Sequence, residues 1–169
     1  MTIPLKTSAN SLFVVFVCLA LFSGCSRHSV ERYIAPKLAG MQLGQVIKGD
    51  QAQKIISNLH ADMSTDAESA IATYSNRQYK SVAYLTLFES AEKSDTLARS
   101  MVEKIAKGGT PFPEPMMRAD VAGVWQMEGE KEMNYIVVRS KLLAWLTVDR
   151  PVGEAFLQDF LRWIPAERP

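Results

Sequence analysis

Apolar and polar positions alternate along the chain in patterns that predict three helices and five strands. Apolar residues recur every three or four positions in the predicted helices, which are residues 50–59, 90–107 and 151–164. Alternating or continuous apolar runs mark the predicted strands, which are residues 70–75, 80–89, 119–127, 132–139 and 141–148. This order predicts an α+β fold with a mostly antiparallel sheet of about five strands, a hairpin plus a three-strand meander, packed by about three helices.

Several local signals refine this outline. The strand over residues 80–89 is apolar on both sides, which predicts a central position in the sheet. Ser90 is expected to cap the second helix. Residues 33–46 mix apolar residues with proline and glycine, and we expect an irregular strap that lies on the domain. Residues 110–115 read TPFPEP and are expected to cross in an extended conformation, because proline cannot continue a helix.

The meander has two faces of different character. If residues 128–131 form the first turn, Trp125 lies opposite Asn134, and if Ser140 and Lys141 form the second, Ile136 lies opposite Trp145. Alternation then assigns one face to Val121, Gly123, Trp125, Asn134, Ile136, Val138, Leu143 and Trp145. The opposite face is more aliphatic and suits helix packing; it holds Val124, Tyr135, Val137, Leu142, Ala144, Leu146 and Val148.

The first face suggests a binding groove. Trp125, Trp145 and Asn134 could line a site for an apolar or ring-bearing ligand, with Phe112 and the nearby methionines, Met116 and Met117, as a lid. The competing interpretation, which we favour, makes the indoles part of the core, beneath a helix or the strap, with each N–H bonded to a nearby acceptor.

Candidate catalytic and metal-binding groups are few. Glu128, Glu130 and Glu132 could collect a hard cation, but Lys131 lies among them and a solvated acidic turn is the favoured interpretation. Asp120 and Asp149 could form a hydrolytic carboxylate pair, which we keep as a minor alternative. No catalytic residue, metal site or cofactor is predicted, and the chain is expected not to be an enzyme.

The amino terminus carries the most specific motif. Residues 11–22 contain no charge and follow a segment whose basic side chain is Lys6, an apolar run too short to span a bilayer. Residues 21–25 read LFSGC, which resembles the lipobox of bacterial lipoprotein precursors. The resemblance covers the first 25 of 169 residues and departs from the usual pattern at Phe22, where leucine is commonest.

The resemblance implies a cellular location and a lipid anchor. Residues 1–24 would be a signal peptide cut between Gly24 and Cys25, and the Cys25 thiol would carry a diacylglyceryl group, with the new amine often acylated as well. Residues 25–30 would form a lipidated tether and residues 31–169 a single globular α+β domain. Ser26, in place of an aspartate, favours the outer membrane facing the periplasm where the host has one.

Charge and cysteine content agree with this location. The 19 basic and 18 acidic side chains nearly balance, so nucleic acid is not an expected partner. Both cysteines, Cys18 and Cys25, lie in or next to the signal, which leaves no disulfide in the domain. The sequence thus predicts a membrane-anchored envelope lipoprotein with a non-enzymatic, accessory or partner-binding role, held by the lipid, with another envelope protein as its candidate partner. The alternative is a small-molecule or lipid-binding module that uses the aromatic sheet face.

Overall fold

A computed structural model describes residues 29–59 and 67–164 of the chain. The predicted signal peptide and the predicted lipidation site at Cys25 lie outside these residues. The strands in chain order are β1 (Lys37–Leu38), β2 (Met41–Lys48), β3 (Glu68–Ser75), β4 (Lys80–Leu87), β5 (Met116–Met117), β6 (Val124–Glu128), β7 (Glu132–Arg139) and β8 (Leu142–Asp149). The α-helices are α1 (Gly49–Leu59), α2 (Ala91–Ala106) and α3 (Gly153–Trp163), and two 3-10 turns cover Val30–Tyr33 and Arg150–Val152.

The strands form one sheet in the order β1-β2-β3-β4-β8-β7-β6-β5. Every neighbouring pair is antiparallel. The α+β class and the antiparallel sheet are therefore confirmed, as is the central place of β4, which lies between β3 and β8. The predicted strand number was wrong, because the described part of the chain has eight strands and not about five.

The strands missed at one edge, β1 and β2, lie in the segment predicted to be an irregular strap. Their hairpin turns at Ala39 and Gly40, which have φ angles of 48° and 77°. Alanine is rare at positive φ, so this turn has no conventional sequence signal. In β2 the pairing register shifts between Leu43 and Val46, and the bulge breaks the alternation that would have identified a strand.

Thr73 of β3 repairs the ladder at this bulge. Its hydroxyl oxygen accepts the backbone N–H of Gln45 at 3.0 Å, and the same hydroxyl donates to the Gln45 carbonyl at 3.2 Å. A side chain therefore supplies the hydrogen bonds that the bulged backbone cannot make with its neighbour.

At the opposite edge, β6 begins five residues later than predicted. Residues 119–123 form bends and a turn instead of strand. Gly123 has a φ of 72°, and its carbonyl accepts the N–H of Val138 at 2.8 Å. An ideal Cβ on Gly123 would lie 2.7 Å from the Val138 carbonyl oxygen, so the backbone approaches here more closely than a side chain allows.

The two turns of the meander differ in how well they were predicted. The second register is confirmed, since Ile136 pairs with Trp145. In the first hairpin Trp125 pairs with Ile136 and not with Asn134, because the turn closes one residue later, with the Gly129 N–H bonded to the Glu132 carbonyl at 2.9 Å. A shift of two positions in pairing leaves every side chain on its predicted face.

The two faces of the sheet are covered by different elements. The aliphatic face lies under α3 and the amino-terminal turn, and its core includes Tyr33, Tyr74, Phe156 and Phe160. The aromatic face lies under α1 and α2: Ile56 packs against Ile71 in a small cluster beneath α1, whereas α2 covers the indole-bearing strands. The predicted assignment of helices to the aliphatic face was therefore incomplete, since both faces carry helices.

Capping and ion pairs along α2 follow the sequence signals. The Ser90 hydroxyl accepts the Lys93 N–H at 3.3 Å, as expected for an N-cap. On its outer side Arg99 pairs with Asp95 at 2.8 Å and Lys107 with Glu103 at 2.7 Å. Solvent screens these exposed pairs and they contribute little, so burial of the inner stripe of Ala98, Met101 and Ile105 is what holds the helix on the sheet.

Asp159 of α3 holds the unusual β1–β2 turn. Its carboxylate accepts the Ala39 N–H at 2.7 Å across 120 residues of sequence. That hydrogen bond, with the Arg162 guanidinium and the charge of Lys37, lowers the pKa of Asp159. The ionised carboxylate therefore stabilises a backbone conformation that alanine would otherwise avoid.

We expect Gly123→Ala to lower the free energy of unfolding by about 2–4 kcal/mol, from left-handed strain plus the close contact with Val138. The matched control is Gly109→Ala, because Gly109 has a φ of 82° and an ideal Cβ built on it would meet nothing within 4 Å. The control substitution should lower the free energy of unfolding by about 1–2 kcal/mol. Urea unfolding measures both variants, and equal losses would contradict the proposed backbone approach.

Asp159→Asn should lower stability near neutral pH by about 1 kcal/mol, since the amide keeps an acceptor for Ala39 but loses the charge, at a partly exposed site. A lowered folded-state pKa stabilises above the unfolded pKa of about 3.9 and loses that contribution as pH falls through the folded value. The difference between wild type and variant should therefore shrink below about pH 4. Urea titrations from pH 7 to pH 3 measure it, and a constant difference would be inconsistent with this role.

Candidate functional site

Trp145 is the centre of a hydrogen-bonded group on the aromatic face. Its indole N–H lies 3.2 Å from the Asn134 amide oxygen and 3.1 Å from the Thr147 hydroxyl oxygen. The Thr147 hydroxyl donates in turn to the Asn134 oxygen at 2.8 Å. Trp145 and Asn134 are 7% and 4% exposed. Register explains the group, since Asn134 and Thr147 pair directly on neighbouring strands.

Trp125 lies in the same row of the sheet, two strands away from Trp145. Trp125 pairs with Ile136, and Ile136 pairs with Trp145, so an isoleucine separates the two indoles. Trp125 is 6% exposed and packs in the cluster formed with Met101 and Ile105 of α2. The indoles are thus covered, as the favoured core interpretation expected.

Phe112 closes the remaining side of Trp145. The two rings meet edge to face, with centroids 4.8 Å apart and planes at 61°. Phe112 itself is 37% exposed, so one side of its ring faces solvent. The structure therefore brings Phe112 and Asn134 each into contact with Trp145 and leaves Trp125 two strands from Trp145. A ligand on this face would have to displace Phe112 or α2.

The connector that carries Phe112 continues into an exposed apolar edge. Met116 is 52% exposed and Met117 is 65% exposed. They pair with Gln126 and Trp125, and because side chains alternate along a strand, the two thioethers point to opposite sides of β5. We call Phe112, Met116 and Met117 the edge patch. It contains three of the four large apolar side chains that are exposed in the described residues.

Prolines shape the backbone of this edge. Pro111, Pro113 and Pro115 precede the short strand β5 and lack an N–H. Such residues prevent a sheet edge from pairing with another strand. The edge patch is therefore suited to contact through side chains, with flexible thioethers that adapt to the surface they meet.

Two open grooves flank the sheet. One, of about 450 Å³, lies at the turn between β7 and β8 and is lined by Asp95, Ala122, Gly123, Val138, Arg139 and Ser140. The other, of about 330 Å³, is lined by Gln78, Lys80, Ser81, Val82, Glu132, Thr147 and Asp149. The second groove reaches Thr147 and so touches the hydrogen-bonded group around Trp145 from its polar side.

The carboxylates suggested as a hydrolytic pair have separate partners. Asp120 and Glu154 both pair with the Arg118 guanidinium, at 2.7 and 2.5 Å. This guanidinium lowers the pKa of both carboxyl groups. Asp149 instead accepts the Lys80 N–H at 2.8 Å. Ionised, ion-paired carboxylates are suited to clamp the β5–β6 loop to α3, not to donate a proton.

The acidic turn between β6 and β7 is held by an ion pair between Glu128 and Arg150. In residues 29–59 and 67–164 no group of three or more histidine, cysteine or acidic side chains is placed to hold a metal ion. In the same ranges no helix has the length and apolar character needed to cross a bilayer.

Sequence reasoning missed Thr147 and the exposure of the methionines. Thr147 lies two positions after Trp145 on β8 and therefore on the same face of the sheet. That spacing was the sequence signal for its place beside the indole. The methionines were assigned to a lid, and nothing in the local sequence showed that β5 would lie at the outer edge of the sheet.

Asn134→Leu should lower the free energy of unfolding by about 1–3 kcal/mol, because the Thr147 hydroxyl loses its acceptor and the indole N–H keeps only the Thr147 oxygen. Thr147→Val is the matched control: it removes one donor and leaves the Asn134–Trp145 bond in place. Its loss should be about half as large. Chemical unfolding monitored by tryptophan emission measures both variants. A leucine variant as stable as wild type would remove the case for this group as a structural unit.

Comparisons of the chain with protein-family models, with curated proteins and with solved structures found no match. A functional assignment therefore depends on the lipobox-like motif and on the surfaces described above.

Proposed function

We propose that this chain is a membrane-anchored lipoprotein of the bacterial cell envelope, with a non-enzymatic, accessory role in binding another envelope protein. The anchor is a lipid on Cys25, exposed by cleavage between Gly24 and Cys25. With Ser26 after the cysteine, the proposed location is the outer membrane, facing the periplasm. The proposed contact with the partner is the edge patch.

The LFSGC motif supports the anchor. Burial of acyl chains contributes about 0.8 kcal/mol for each methylene group, so the two or three chains of a bacterial lipoprotein hold it on the membrane without a spanning helix. The described part of the domain starts at Ser29, close behind the proposed lipidated residue. A folded domain so near its anchor remains within reach of other proteins of the same membrane.

The exposure of the edge patch is the single observation that carries the binding role. Large apolar side chains are mostly buried in this protein, yet three exposed ones lie within six residues of one connector. Because Met116 and Met117 point to opposite sides of β5, a protein partner that covers both would wrap around this edge of the sheet. Because the prolines disfavour strand addition, the proposed partner presents a cluster of apolar side chains to Phe112, Met116 and Met117.

The small-molecule alternative has weaker support. Its proposed residues, Trp125, Trp145 and Asn134, are buried, and the Asn134 oxygen already accepts two hydrogen bonds. The hydrolase alternative has less support still, since Asp120 is ion-paired with Arg118. Partner binding needs no displacement of these groups.

The proposal is tested with a photo-reactive benzoylphenylalanine at position 117 of the full chain in its native host. We expect illumination to yield one defined adduct, and Met116→Asp in the same chain to reduce it about tenfold by placing a charge in an apolar contact. Intact mass analysis of the same purified protein should show a diacylglyceryl or triacyl modification at Cys25, and Cys25→Ala should move the protein out of the membrane fraction.

The control places the same photo-reactive residue at Arg77, an exposed position in the β3–β4 turn. An equal adduct pattern from positions 77 and 117 would reject the edge patch as the contact. An adduct with the mass of two copies would assign the patch to self-association. An unmodified thiol at Cys25 in protein from the host would reject the lipid anchor.

A further inference from the structure

Trp163, the last residue of α3, is an exposed indole that the structure holds in place. It is 45% exposed, whereas the other two tryptophans are 6% and 7% exposed. Its N–H donates to the Arg32 carbonyl at 3.2 Å. Ile164, next in the chain, is buried in the core beneath α3. The ring is therefore presented to solvent on a rigid support, which is unusual for a side chain of this size.

Arg32 lies beside this indole and offers a cation. Its guanidinium is 5.5 Å from the centre of the Tyr33 ring, and within the described residues it makes no ion pair. The neighbouring carboxylates have partners: Glu31 pairs with Lys48, and Asp159 with Arg162. The surface around Trp163 thus combines an indole with an available guanidinium.

The chain that leaves this surface is short. Ser29 lies four positions after Cys25, and a fully extended chain of that length reaches at most about 14 Å. Ser29 is itself attached to the domain, because its hydroxyl donates to Glu68 at 2.9 Å and Val30 is 1% exposed. A lipid on Cys25 would therefore keep the surface around Ser29 close to the headgroups.

The register of the sheet identifies which end of the domain this is. Glu68 pairs with Leu87, Leu87 with Leu142, and Leu142 with Arg139, so these residues lie at one end of the strands. We call it the Ser29 end. The Arg32 N–H donates to the Ser29 carbonyl at 3.2 Å, so Arg32 and the Trp163 indole bonded to it lie within one turn of Ser29. Glu132 at the start of β7 lies about 23 Å away along the strand, at roughly 3.3 Å per residue.

We propose that the Ser29 end rests on the bilayer, with the Trp163 indole in the headgroup region and the Arg32 guanidinium on lipid phosphate. The ligand is thus a phospholipid surface, and the inference rests on the lipid anchor proposed above. Indoles favour this depth because one side is apolar and the N–H is polar. Guanidinium groups bind phosphate oxygens through charge-assisted hydrogen bonds.

The experiment uses the lipidated protein, purified from host membranes and reconstituted in vesicles of phosphatidylcholine and phosphatidylglycerol. Part of the phosphatidylcholine carries bromine at carbons 6 and 7 of one acyl chain, which quenches indoles near the interface. We expect the wild-type emission to be quenched, and Trp163→Phe to lose at least three quarters of that quenching. Bromine at carbons 11 and 12 should quench less, and Arg32→Glu should weaken quenching by repelling phosphate.

The matched control moves the exposed indole to the other end of the domain. A Trp163→Phe, Glu130→Trp double variant carries an exposed tryptophan at the tip of the β6–β7 turn and should stay unquenched. Near-ultraviolet circular dichroism and urea unfolding check that each variant is folded. Should Trp163→Phe alone fail to fold, wild type and Glu130→Trp give the same comparison, since only an indole near the bilayer responds to bromine.

The outcomes separate this inference from the anchor on which it depends. If the protein floats with the vesicles and quenching does not depend on Trp163, the anchor stands and the inference is overturned. If quenching from position 130 equals that from position 163, the proposed orientation is overturned. If the protein does not float with the vesicles, the lipid anchor fails and the inference fails with it.

Discussion

The pairing of β4 with β8 is the constraint on which the rest of the structure depends. It joins residues 55 to 67 positions apart, from Leu87 opposite Leu142 to Ser81 opposite Val148. Strands β1–β4 lie in consecutive order on one side of this pairing. Strands β5–β8 lie in consecutive order on the other side. A central pair buries both of its faces, so helices must cover the sheet above and below, and the positions of α1, α2 and α3 follow from that need.

The same constraint decides which aromatic side chains remain exposed and can contact other molecules. Trp145 lies on β8, is covered by α2 and Phe112, and has its N–H bonded inside the protein, and Trp125, two strands away, is buried in the same cluster under α2. Trp163 and the edge patch lie where the sheet and α3 end, and there the residues that the structure describes place no second layer over the apolar surface. Function in such a domain is expected at its margins, because the centre is occupied by packing.

The two proposed surfaces are geometrically compatible. The edge patch is carried by β5, opposite Trp125 and Gln126, about three residues and 10 Å along the strands from the Ser29 end. With that end on the bilayer, β5 would face sideways near the membrane. A partner anchored in the same membrane could reach the patch from that side. With the proposed lipid on Cys25, a tether this short would keep the Ser29 end near the membrane.

The sequence alone was enough for the motif at Cys25, the α+β class, the cap at Ser90 and the two faces of the meander. Each depends on residues close in the chain: periodicity, a capping hydroxyl or a short turn. Tertiary structure decided the rest. Ala39 adopts a positive φ because Asp159 holds its N–H from 120 residues away, and β2 remains paired at its bulge because Thr73 bonds to Gln45. Strands such as these depend on groups that are distant in the sequence, so the local pattern of residues does not predict them.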